Sequence, residues 1–151
     1  MATTLTTSTL KVWIKEDVKI NGEQHGAETK FNVSVKHVSK TIASTNALVE
    51  TTLLTFNTVP GQMQFVEGDV RYIRITNLDD TNFVTLNIEG DAATDMSIRL
   101  DPLTSYIAMF DPLKGAVDYG DISGTTLEDL TAIKATADTA ACDLEVFVAS
   151  A

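Results

Sequence analysis

A chain of 151 residues with 21 Asp/Glu against 11 Lys/Arg, a net charge of −10, repels phosphate backbones and anionic lipid, which argues against nucleic-acid or membrane-surface partners. Its 44% hydrophobic and 21% charged content is globular rather than disordered, and at this length one core can bury roughly two-thirds of the unfolded surface. The single cysteine, Cys142, allows no intrachain disulfide.

Residues 1–9 are rich in Thr and lack both the basic start and the apolar run of a signal peptide, and no segment approaches the ~20 apolar residues of a membrane helix. A soluble protein is expected. The start, too polar to order itself, reads as a flexible arm over 1–9, with one domain over 10–151.

From there on the pattern has period 2, which puts successive side chains on opposite faces of a strand. Val12, Ile14, Val18 and Ile20 alternate with Lys11, Lys15, Asp17 and Lys19, and Asn21-Gly22 closes the segment as a turn. Lys11, Lys15 and Lys19 then share a face, a solvated or partner-facing row. Phe31, Val33 and Val35 follow, then a weaker Leu48-to-Phe56 stretch rich in Thr, Val and Leu. Ile73/Ile75, Val84/Leu86/Ile88, Met96/Ile98/Leu100 and Leu144/Val146/Val148 repeat the alternation, with Ser105 to Phe110 and part of Leu130 to Ala137 as weaker strands. Turn residues punctuate these runs about every ten residues, which predicts an all-β antiparallel sandwich, jelly-roll-like, of about eight or nine strands with little helix. The one helical expectation is a single turn within Thr125 to Ile133, where Thr126 and Asp129 resemble a capping box and Leu127, Leu130 and Ile133 recur every third residue. A strand through Thr131, Ile133, Ala135 and Ala137 fits about equally well.

Groups able to carry chemistry are few. His25 lies in a loop and His37 at the end of a strand, where partial cover is expected, and neither has metal-ligand spacing. Cys142 sits among small residues as a buried, inert thiol. Asp79, Asp80 and Asn82, then Glu89, Asp91 and Asp95, offer oxygen ligands of the calcium type, but turn-forming use of these side chains is the stronger reading. No catalytic residues, cofactor or metal are assigned. Trp13 and Phe147 fall out of phase with the apolar residues of the first and last strands, so each is expected to face outward toward a partner, unless both faces are covered within the domain.

Three stretches, Val18–Gly22, Tyr72–Leu86 and Leu144–Ser150, resemble small β-sandwich structural proteins of tailed bacteriophages. The resemblance implies a virion component made in the host cytoplasm. Its implied role is that of a capsid decoration (cement) protein, or a small tail or neck protein, bound to the major capsid protein or other virion proteins. A homo-oligomer is implied, with a trimer favoured, and no enzymatic activity. Thr3, Thr4, Leu5, Trp13 and Phe147 are the candidate interface residues. A carbohydrate-binding sandwich module is the alternative from a different class, with Trp13 as its sugar platform.

Overall fold

The computed structural model of the chain describes residues 5–91, 95–120 and 126–151. Among these there is no α-helix, and nearly all regular structure is strand. A five-stranded sheet has the order β10 (Asp95–Leu100), β9 (Val84–Gly90), β12 (Leu130–Ala137), β6 (Thr51–Asn57), β7 (Phe65–Val66). A four-stranded sheet has the order β11 (Ser105–Met109), β8 (Val70–Asn77), β13 (Cys142–Ser150), β5 (His37–Thr45). Every pairing in the two sheets is antiparallel except β6 with β7.

The sheets stack because alternation gives each one apolar face. Leu54, Phe56, Val84, Leu86, Ile88 and Ile133 from one sheet join Ile73, Ile75, Leu144, Val146 and Val148 from the other in a single buried cluster. The all-β sandwich expected from periodicity is therefore the fold. Asn77 is buried where β8 ends, and its amide bonds the Asn82 and Leu100 carbonyls at 2.9 and 3.3 Å, pinning two loops at one end of the sandwich.

The helical turn over Thr125 to Ile133 does not form in the described part of that stretch. Residue 125 lies outside the described residues, Glu128 makes a bridge to Gly120, and Leu130 onward is strand. Register shifts between Leu130 and Ala132 and between Ile133 and Lys134 account for the misleading spacing. A bulge adds one residue to a strand, so Leu130 and Ile133, three apart, both reach the core. As a central strand between β6 and β9, β12 also satisfies its backbone on both sides, which one helical turn could not.

Two boundaries differ from the sequence expectation. Leu48 takes φ 58° and is exposed, so extended structure begins only at Thr51. Strand β5, not anticipated as a separate element, runs for nine residues along one edge of the four-stranded sheet.

Candidate assembly surface

Residues 8–35 form a two-stranded ribbon. β1 (Ser8–Lys15) pairs with β4 (Glu28–Val35), and β2 (Lys19–Ile20) with β3 (Glu23–Gln24), in one unbroken register from Ser8 opposite Val35 to Ile20 opposite Glu23. At ~3.4 Å per residue the ribbon is roughly 40 Å long. Its tip is Asn21-Gly22, at φ 51° and 86°, the pair of positive angles that a two-residue hairpin turn needs. Midway, where the Glu16 amide bonds the Ala27 carbonyl at 2.8 Å, Gly26 lies so close to the Glu16 backbone that a Cβ there would collide with its carbonyl.

Period 2 gives the ribbon two unlike faces. One carries Leu10, Val12, Ile14, Val18 and Ile20, with Val35, Val33 and Phe31 across from Ser8, Leu10 and Val12, and also Glu16, Glu23 and His25. The other carries Thr9, Lys11, Trp13, Lys15 and Lys19 opposite Ser34, Asn32, Lys30, Glu28 and Gln24. The apolar face is covered only at its root. Leu10, Val12 and Val33 pack with Val35, Tyr72, Ala149 and Phe147 in a small cluster separate from the main core. Beyond the root the same face is bare: Ile14 is 39%, Val18 44% and Ile20 53% exposed.

The anticipated interface residues fall in different surroundings. Trp13 is 65% exposed on the lysine-bearing face, with Lys30 Nζ 5.1 Å from its ring centre, a cation–π arrangement. Phe147 does leave the core face of β13, but this chain's own ribbon root covers it, and it meets the Tyr72 ring edge-on at 5.9 Å. Leu5 is exposed and unpaired, Ser8 and Thr9 already belong to β1, and Thr3 and Thr4 lie outside the described residues.

Strand β5 is the surface that the sequence reading missed. Its pairing with β13 sets Val38, Lys40 and Ile42 opposite Ala149, Phe147 and Glu145, on the outer side, and leaves Ser39, Thr41, Ala43 and Thr45 inward. The alternation is inverted: Ala43 packs on the core and Thr45 is buried, with Thr41 on the same side but exposed, while Val38 and Ile42 are 56% and 58% exposed. A period-2 pattern over residues 38–43 was there to be found, but periodicity gives no sign for which face is inside. Beside it, Glu145 binds Lys40 at 2.9 Å and Arg74 at 2.6 Å, and these two cations hold its carboxyl below the usual range.

The groups with chemical potential are spent or separated. Asp79 Oδ1 accepts the Thr81 amide at 2.8 Å and also the Asn82 amide, and those donors lower its pKa, as expected of a turn-forming aspartate. His25 is exposed on the ribbon. His37 opens β5 and is exposed, not partly covered as expected, because a new strand starts after Lys36. The β5–β13 register places His37 opposite Ser150 and Cys142 opposite Thr45, at the two ends of the ladder and roughly 27 Å apart at ~3.4 Å per residue, so they form no nucleophile pair. Cys142 is buried, which raises its pKa, and nearby Asp79, Asp138 and Asp143 raise it further. An open cleft of about 570 Å³ between Ile88, Met96, Tyr119 and Leu130 has Glu89, Asp95, Glu128 and Asp129 on its walls. Among the described residues no three His, Cys, Asp or Glu side chains gather to hold a metal ion.

Compared with known proteins, the chain matches no protein-family model and no curated sequence.

Proposed function

We propose that this chain is a structural protein that works by assembly, of the capsid decoration type found on tailed bacteriophages, and that it attaches to a shell as a homo-oligomer. The observation that carries the reading is the ribbon of residues 8–35, whose apolar face is covered at its root and bare at Ile14, Val18 and Ile20. A two-stranded ribbon is marginal alone in water and exposes two backbone edges, so one of this length with an uncovered apolar stripe is a feature that a partner surface completes.

The rest of the molecule suits such work. A sandwich with one continuous core is a stiff base for a lever of this kind, and buried polar groups such as Asn77 and Thr45 are hydrogen-bonded. Many weak contacts repeated around a shell add through effective concentration, so each copy needs only modest affinity. The net charge of −10 keeps unassembled copies apart and in solution.

Cryo-microscopy of the source particle tests the proposal. Density for the sandwich in many copies over the shell is the expected result, and its absence from every particle component would overturn it. A small, fixed copy number from quantitative mass spectrometry would instead move the protein to the tail or neck.

A further inference from the structure

The ribbon's bare stripe and the inverted face of β5 have matching chemistry. The distal stripe offers Ile14, Val18 and Ile20 with two acids, Glu16 and Glu23, on the same face. Strand β5 offers Val38 and Ile42 with Lys40 between them and Lys36 just before the strand. Apolar meets apolar, and the ribbon's two acids meet a patch in which Lys36, Lys40 and Arg74 outnumber Glu145, the carboxylate that Lys40 and Arg74 bind on the same outer face. At ~3.4 Å per residue the stripe runs roughly 20 Å from Ile14 to Ile20, and β5 offers roughly 14 Å from Val38 to Ile42.

Charge also narrows the occupant. Residues 41–151 hold seventeen Asp/Glu against five Lys/Arg, so most of the body repels Glu16 and Glu23, whereas residues 1–40 hold six Lys/Arg against four Asp/Glu. Two ribbons set apolar face to apolar face would bring four glutamates together. Within one chain both stripes are exposed, so a ribbon does not cover its own β5.

We propose that the distal ribbon of one copy lies, apolar face down, on the outer face of β5 of a second copy. Glu16 and Glu23 then approach Lys36 and Lys40, while Ile14, Val18 and Ile20 cover Val38 and Ile42. The contact continues an arrangement already present at the ribbon root, where the same face packs on the outer side of the four-stranded sheet against Tyr72, Phe147 and Ala149. The two surfaces differ, so copies exchange ribbons reciprocally or pass them head to tail, around a ring where the rotation closes and along an open filament where it does not.

The proposal rests on the assembly reading only in taking the chain to associate with itself. Its test is the solution mass of the full chain by light scattering, for the wild type, for Ile20→Asp, for Ile42→Asp, and for an equimolar mixture of the two variants. Both positions are exposed, and circular dichroism checks that each variant is folded. The wild type should have the mass of two or more copies and each variant that of one. The mixture should recover mixed species, because the intact ribbon of Ile42→Asp meets the intact β5 of Ile20→Asp. A single-copy wild type, a variant with wild-type mass, or a mixture with no mixed species overturns the contact. A single-copy protein that still decorates particles sinks this contact and the homo-oligomer with it, and leaves attachment to the shell standing; a multimer governed by Ile20 and Ile42 but absent from every particle keeps the contact and sinks the shell reading.

Discussion

Phe147→Ala should loosen the ribbon without unmaking the sandwich. The ring is half-buried between β13 and the ribbon root, so deleting it forfeits about 1 kcal/mol of burial, half of what a fully buried Phe contributes. Loss of the edge contact with Tyr72 at 5.9 Å removes roughly another 1 kcal/mol. A total of about 2 kcal/mol multiplies the population of ribbon-detached molecules by roughly thirty. Trypsin reports that population directly, because Lys11, Lys15, Lys19 and Lys30 lie in the ribbon and cleavage needs the strands to open. Cutting within residues 11–30 should therefore speed up about thirty-fold at low protease, and leave a body fragment that is stable to further digestion. If the ribbon is cut at the wild-type rate while the thermal midpoint of the whole protein falls, Phe147 stabilises the sandwich and not the ribbon root, and the reasoning fails.

Four further outcomes follow from particular residues. Ile133→Ala, at a side chain only 1% exposed in a central strand, should lower the unfolding free energy by about 3 to 4 kcal/mol in urea titration. Gly26→Ala forces a Cβ into the Glu16 backbone, so it should disturb the ribbon's distal amide resonances while leaving those of β8 and β13 in place. Glu67 is almost fully buried, and burial, followed by Asp129 and Asp91, raises its pKa, so its charge opposes folding at neutral pH. Glu67→Gln should stabilise the protein at pH 7, and the gain should shrink as pH falls through the raised value and vanish below the ordinary value of 4.5. Glu145 has the opposite sign: its stabilisation is present above 4.5 and is lost as pH falls through its lowered value, so Glu145→Gln should cost stability at pH 7 but not in strong acid.

The apolar alternation around residues 73–75, 84–88 and 144–148 specified strands without help from context, because a period of two is a local property of the backbone. It specified in the same way that Trp13 and Phe147 leave the core-facing parity of their strands, and Asn21-Gly22 specified its own turn. What the pattern could not carry is the identity of the neighbour on each face. The outward aromatic of β13 is covered because a ribbon more than a hundred residues earlier in the chain folds back onto it, and β5 turns Val38 and Ile42 to solvent because its pairing with β13 fixes which parity faces the core. At Leu130 and Ile133 a bulge, created by pairing β12 to two partners at once, turned a helix-like spacing into a strand. Alternation is written residue by residue, but inside and outside are decided between strands far apart in the chain, so only the assembled sheets settle them.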